Sequence, residues 1–254
     1  MILHSKISGE GKDIIILHGL FGMLDNWNSI ARVLNDNYRV HLVDQRNHGR
    51  SFHSEHFTYP EMAEDLIAYM DHHDVKSATV IGHSMGGKVA MHAATAFPER
   101  IEKLVVVDIA PRYYPVHHRE ILNALLSIDL EEMETRGDVE QAMLRKIPVP
   151  AIAQFLLKNL YWVEDGVLGW RFNLKVLNEK IENVGEALDD QATYKGPALF
   201  IKGGNSDYIT PNDGPLIHLH FPNSEVKEIE NAGHWIHAEA PKAFLKMVQG
   251  FMVD

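Results

Sequence analysis

Five apolar runs punctuate the chain: DIIILHG (13–19), YRVHLVD (38–44), SATVIGH (77–83), KLVVVDI (103–109) and PALFIKG (197–203). They are rich in Ile and Val and do not alternate with polar residues, the pattern of parallel strands covered on both faces. Helical periodicities lie between them. Trp27, Ile30, Ala31 and Leu34 recur at i, i+3, i+4 and i+7, with Asp25 or Asn26 as the expected N-cap. TYPEMAEDLIAYM (58–70) opens with a Thr58-x-x-Glu61 capping box and Pro60 in the first turn. Phe244, Met247, Val248 and Phe251 form a further stripe near the end. Strands alternating with helices predict βαβ crossovers and a mostly parallel, doubly wound α/β sheet.

One connection breaks this rhythm. Between Asp108 and Pro197 the chain is far longer than a single crossover helix requires, and so long a connection normally carries structure of its own. REILNALLSIDLEEMETR, VEQAMLRK and AIAQFLLKNLYW read as helices, and Phe155, Tyr161, Trp162, Trp170 and Phe172 fall in the same span. The expectation is a core of residues 1–110 and 191–254, with 111–190 as a helical cap over the C-terminal edge of the sheet. A few extra helices packed at the side would be the plainer arrangement.

The stretch VIGHSMGGKVAM places Gly82-His83-Ser84-Met85-Gly86 between a buried strand and a helix. Small residues two before and two after a serine allow a sharp strand-to-helix turn that lifts the hydroxyl clear of the sheet. The same turn aims the Met85 N–H, at a helix N-terminus, toward a developing oxyanion. His18-Gly19-Leu20 ends an earlier strand, and the Leu20 N–H is the expected second donor. Near the C-terminus Ala232-Gly233-His234 occupies a loop from which a neutral imidazole could return to Ser84 as general base. His237, the rival base, lies near the start of the last helix and is expected to face solvent. Two aspartates compete to orient the imidazole. Asp108 ends the strand of LVVVDIAP, and Asp207 follows two glycines in FIKGGNSDYITP.

At this point the chain resembles the α/β-hydrolase superfamily over its full length, with Ser, Asp and His in that chain order. More closely it resembles the YbfF-type esterases, through HGLFGMLDNW, VDQRNHGRS, GHSMGGKVAM, VVVDIAP, QFLLKN, WRFN, GGNS and AGHWIHAE. The resemblance implies a serine hydrolase acting on short- to medium-chain acyl esters or thioesters, with a helical cap after the sixth strand (in the family's count) and no cofactor or metal. It implies that Asp44 and Arg46 brace loops near the site. Most members carry the acid in a G-x-x-D-x-x-x-P context, which Gly204, Asp207 and Pro211 match. YbfF-type proteins are thought to use the aspartate of the DIAP motif, Asp108 here, and Ser206 would then hydrogen-bond near the histidine. Both solutions stay open, with the closer resemblance favouring Asp108. Phe155, Trp162, Trp170 and Phe172 are the candidate substrate contacts of the cap, although a cap core would contain the same aromatic residues.

Composition narrows the picture further. At 254 residues, 45% hydrophobic and 23% charged, the chain has the make-up of a globular protein, and no apolar run approaches a membrane span. Its beginning has no signal-peptide pattern, which points to the cytoplasm. A net charge of −11 argues against nucleic acid or an anionic membrane as partner and leaves a small-molecule ester. There are no cysteines, which excludes thiolate chemistry. Sixteen histidines occur without HExxH spacing, and the doublets in DHHD, VHHRE and HLH are expected to be solvated surface residues. Oligomeric state has no signature here. Ser84 at the elbow excludes the aspartate-dependent dehalogenases and epoxide hydrolases. A carbon–carbon bond hydrolase or a lyase of menaquinone biosynthesis remains an alternative, and would want Arg112, Arg119, Arg145 or Arg171 aimed at an acidic substrate. A non-catalytic binding protein would require a broken triad, which is not visible. Lys88 has no place in the mechanism and is expected to reach solvent or a carboxylate.

Overall fold

The computed structural model describes residues 1–253. In chain order its core elements are β1 (Ser5–Ser8), β2 (Lys12–Leu17), α1 (Asn28–Leu34), β3 (Tyr38–Val43), α2 (Tyr59–His72), β4 (Ala78–His83), α3 (Met85–Ala96) and β5 (Ile101–Val107). An inserted stretch follows, with α4 (Arg119–Leu126), α5 (Arg136–Lys146), α6 (Pro150–Leu157), β6 (Leu160–Glu164), β7 (Val167–Trp170) and α7 (Leu174–Glu179). The chain then returns through β8 (Ala198–Gly203), α8 (Gly214–His220), β9 (Ser224–Ile229), α9 (Ile236–Glu239) and α10 (Pro241–Val253).

Seven strands make one sheet in the order β1-β3-β2-β4-β5-β8-β9, parallel except for β1, which runs antiparallel along β3. The insertion thus follows the fifth strand of this chain. Successive residues of one strand serve opposite faces. Ile14 and Ile16 join α1 and α10 in one cluster, while Ile15 and Leu17 join α2 and α3 in another, all at most 1% exposed. Helices on both faces explain why these strands read as unbroken apolar runs. Each such side chain contributes about 1.5–3 kcal/mol relative to exposure.

Local signals mostly match their elements. Thr58 and Glu61 cap α2 reciprocally, and Phe244 and Val248 of α10 are fully buried. Neither Asp25 nor Asn26 caps α1. A 3₁₀ turn over Leu24–Trp27 comes first, and Asn26 Oδ1 instead accepts from the Met23 N–H at 2.8 Å. The insertion is not wholly helical either, since β6 and β7 pair as an antiparallel hairpin. Its apolar residues, Leu122, Val139, Leu156 and Val176 among them, are continuous with the core cluster on the α2–α3 face.

Register brings the chemistry-bearing loops to one edge. Leu17 pairs with Gly82, His83 with Val107, Val107 with Ile201 and Gly203 with Ile229. The segments after β2, β4, β5, β8 and β9 therefore leave the sheet side by side at its C-terminal edge, where open α/β sheets hold ligands.

Candidate active site

Ser84 sits between β4 and α3 at φ 51°, ψ −117°, a conformation a serine does not adopt without support. Its N–H donates to Val107 O at 2.9 Å, which anchors the turn to the next strand. A Cβ on Gly82 would fall 2.2 Å from Gly86 O, so strand and helix approach too closely there for a side chain. Met85 provides the first N–H of α3, which has no intrahelical acceptor.

The loop after β2 is held by two histidines. His18 Nδ1 donates to Gly19 O at 2.8 Å, and its Nε2 accepts from the Gln45 N–H at 3.1 Å. The Gly22 N–H also donates to Gly19 O, at 3.0 Å. With that carbonyl fixed, planarity turns the Leu20 N–H the opposite way. A Cβ on Gly19 would stand 3.4 Å from Ser84 Cβ, which sets this peptide against the serine. His48 accepts from the Phe21 N–H at 3.2 Å and donates to Arg46 O at 3.0 Å. Burial lowers the pKa of His18 to about 4 and that of His48 to about 3, so both rings act as neutral donor–acceptor struts.

The two candidate aspartates differ in their contacts. Asp108 is fully buried at φ 53°. One of its oxygens accepts from the Gly203 N–H at 3.0 Å, and the other accepts from the Ser206 hydroxyl and from His234 Nδ1, the latter at 2.7 Å. Asp207 is exposed, and only its backbone carbonyl has a partner, a long contact of 3.5 Å from Arg112. His234 lies in the loop between β9 and α9. Its carbonyl accepts from His83 Nε2 at 2.8 Å, and Glu239 accepts from the N–H groups of Gly233 (2.6 Å) and Trp235 (3.2 Å). Tyr208 stacks on the His234 ring with centroids 3.9 Å apart. Ser84 and His234 face the same cavity, although no hydrogen bond joins them among the described residues. Such contacts commonly tighten only around substrate.

Two cavities meet at Ser84. The larger, about 240 Å³, is lined by Leu20, Phe21, Ile152, Phe155, Trp235 and His234, among others. The smaller, about 20 Å³, lies between Tyr59, Met85, Ile109, Ile181 and Val184. Among the described residues no carboxylate, lysine or arginine lines either one. Burial lowers the pKa of His118 and His237 to about 3 and that of His83 well below the ordinary value, so these rings in the walls are uncharged.

Residues 13–174 match the sequence model of the α/β-hydrolase fold. The chain belongs to the α/β-hydrolase family. It is 38% identical to Esterase YbfF of Escherichia coli over 242 residues, 95% of this chain and 93% of that protein. It is 36% identical to the sn-1-specific diacylglycerol lipase of Danio rerio over 252 residues, 96% of this chain and 79% of that protein. Among solved structures, a marine microorganism esterase superposes with a TM-score of 0.96 at 43% identity, covering 98% of this chain and 99% of its own.

The remaining expectations meet this hydrolase unevenly. Asp44 and Arg46 do brace loops: Asp44 accepts from the N–H groups of Leu24 (2.8 Å) and Arg50 (2.9 Å), and Arg46 forks onto Asp65 at 2.5 and 2.9 Å. Phe155 lines the large cavity, but Trp162, Trp170 and Phe172 line neither one. Trp162 is 45% exposed on the β6–β7 hairpin, and Trp170 stacks on Phe172, which is buried against Phe21. Phe172 thus joins the insertion to the loop after β2. His237 does not face solvent. It is buried and stacks on Trp27 at 3.9 Å, because α9 turns its side inward before α10 begins. The histidine doublets are not uniformly surface residues: His117 and His118 line both cavities, and His220 is buried, its Nδ1 donating to Ala192 O. Lys88 reaches neither solvent nor a carboxylate. It is 1% exposed and donates to Arg112 O (2.6 Å) and Glu186 O (2.8 Å). Burial, then the Arg112 guanidinium, lowers its pKa to about 7, and its Nζ also lies 5.2 Å from the centre of the Tyr114 ring. His83, Tyr208 and Glu239 carry site geometry that sequence reading left without a role; only the position of His83 inside the elbow motif hinted at it.

Two further observations bear on setting and substrate. Among the described residues no helix is long and apolar enough to cross a membrane. The five arginines of the insertion turn elsewhere: Arg112 pairs with Asp213 (2.9 Å), Arg119 with Glu182 (2.6 Å), Arg136 donates to Leu157 O (3.1 Å), Arg171 stacks over Tyr161 and Arg145 is exposed.

Proposed function

We propose that this α/β hydrolase is a serine-dependent carboxylic ester hydrolase with Ser84 as nucleophile, His234 as general base and Asp108 as the triad acid. Ser84 Oγ attacks the ester carbonyl carbon while its proton passes to His234 Nε2. The carbonyl oxygen becomes an oxyanion between the Leu20 and Met85 N–H groups, each worth roughly 10²–10³ in rate. The imidazolium then gives its proton to the ester oxygen, the C–O bond breaks and the alcohol leaves. Water attacks the acyl-serine by the same route, returning the acid and free Ser84. The acid's part is to hold the His234 tautomer that keeps Nε2 free and to balance the imidazolium.

The observation that carries this reading is the fully satisfied Asp108, joined to His234 Nδ1 at 2.7 Å beside a positive-φ serine. The inserted residues 111–190 act as the cap that closes the site. A mostly apolar cavity with no carboxylate, lysine or arginine among its described lining residues suits neutral esters. It does not suit the acidic substrates of carbon–carbon bond hydrolases or of the menaquinone-pathway lyase, because no arginine faces it. The substrate is a small molecule that diffuses to the site without nucleic acid, and the working compartment is the cytoplasm.

The test is turnover of p-nitrophenyl butyrate, together with phosphonylation by a fluorophosphonate. Wild type should exceed Ser84→Ala by about 10³-fold or more and take up one phosphonyl group at Ser84. Turnover equal to that of Ser84→Ala would overturn the reading.

A further inference from the structure

The two cavities meeting at Ser84 differ about tenfold in volume, roughly 240 against 20 Å³. They also differ in which part of the machinery borders them. His234 lines the large cavity and not the small one. Met85 lines the small one and not the large. In the tetrahedral intermediate the carbonyl carbon carries Ser84 Oγ, the oxyanion, the ester oxygen and the acyl chain. The oxyanion points between the Leu20 and Met85 N–H groups. The ester oxygen must lie within hydrogen-bond reach of His234, because the proton it receives comes from that ring. That leaves the acyl chain the direction in which His234 does not lie.

We infer that the small slot between Tyr59, Met85, Ile181 and Val184 takes the acyl group, and that the large cavity under Ile152, Phe155 and Trp235 takes the alcohol. The substrates are then esters of short acids with bulky apolar alcohols. The volumes set the scale. About 20 Å³ holds little more than one water-sized group, which fits an acetyl or propionyl chain, whereas the large cavity accepts an alkyl or aryl alcohol. The second half of the reaction fits the same division. Departure of the alcohol empties the His234 side for the attacking water, while the acyl group stays in its slot on Ser84.

This inference rests on the ester-hydrolase reading. It is tested with two substrate series, p-nitrophenyl acetate to octanoate and methyl to octyl acetate, on wild type, Val184→Ala and Phe155→Trp. In wild type, kcat/KM should fall at least tenfold between the propionyl and hexanoyl p-nitrophenyl esters. It should rise along the acetates, by up to about fourfold for each newly buried methylene. Val184→Ala should move the acyl optimum to longer chains and scale all acetates by one common factor, so that the dependence on alcohol length stays as in wild type. Phe155→Trp should depress octyl acetate at least tenfold more than methyl acetate. Hexanoyl and octanoyl esters turned over as well as acetate, or a Val184→Ala effect confined to the alcohol series, would overturn the allocation. Loss of all turnover over the Ser84→Ala blank would instead remove the ester-hydrolase reading. Melting temperatures of both variants within a few degrees of wild type establish that they are folded.

Discussion

Asp108 and Asp207 follow neighbouring parallel strands, β5 and β8, and leave the same edge of the sheet within reach of the same loop. Each satisfies a known spacing for a triad acid, yet their surroundings are opposite. The turn after β5 drives Asp108 into the interior at positive φ, where three donors meet its carboxylate. The turn after β8 leaves the Asp207 carboxylate in water. The second loop is not idle. It supplies two of the three donors on Asp108, the Gly203 N–H and the Ser206 hydroxyl, and stacks Tyr208 on His234. One loop presents the proposed acid and the other holds it. A buried carboxylate without those donors would stand uncompensated, so neither loop is sufficient alone.

The sharpest way to break this contrast is Asp108→Asn. With the proposed acid neutralised, the His234 tautomer is no longer held, and kcat on p-nitrophenyl butyrate should fall on the order of 10³–10⁴ with the fold intact by circular dichroism. A fall below tenfold would return the role to Asp207.

Next in size comes pH. Four buried histidines around the site, His18, His48, His83 and His237, have pKa values lowered by burial, to about 4, 3, well below normal, and about 3. The unfolded chain takes up their protons near pH 6.5, whereas the folded chain resists until far lower pH. Their stabilising contribution is therefore complete above 6.5 and is lost as pH falls toward 4 and 3. Each histidine removes about 1.4 kcal/mol per pH unit in that window. Total stabilities run to roughly 5–15 kcal/mol, so the urea midpoint should drop markedly between pH 7.5 and 5.5. An unchanged midpoint would mean these rings carry no such burden.

Ser206→Ala tests the supporting loop by itself. A hydrogen bond to a charged group contributes about 1.5–3 kcal/mol, so kcat should drop roughly 10- to 100-fold, with the acidic limb of its pH profile displaced. A pure loss of stability without that displacement would make Ser206 a packing residue. Smallest of all is Asp207→Asn, expected within about twofold of wild type in both kcat and Tm.

Much of this was legible beforehand, for physical reasons that differ by element. The five central strands were readable because helices cover both faces, which forces unbroken Ile and Val runs. Ser84 and Met85 were readable because a strand-to-helix turn of that sharpness demands glycines at fixed offsets. The edge strand β1 was not, since Ser5–Ser8 is short, half-exposed and polar, and owes its conformation to pairing with β3. Nor could spacing rank Asp108 over Asp207, because the difference lies in donors brought from another loop. Aromatic residues misled in the insertion: Trp162 is exposed on a hairpin and Phe172, with Trp170 stacked on it, packs against Phe21 of the core, while Ile152 and His118 line the cavity with side chains of no distinctive pattern. The His237 ring went inward because α9 is a single turn, too short for a helical stripe to declare its face.

The amine of Lys88 has one consequence reaching beyond catalysis. It clasps Arg112 O and Glu186 O, near the first and last residues of the insertion, from the first turn of the helix that Ser84 precedes. The two ends of the inserted chain are thereby brought together on the core, as the ends of a stitched loop are drawn to one knot. Closing a long loop costs little more than closing a short one, since the entropy grows only with the logarithm of length. A unit fastened in this way is interchangeable: residues between the knots could be replaced by a longer or shorter cap while the serine turn beneath kept its shape.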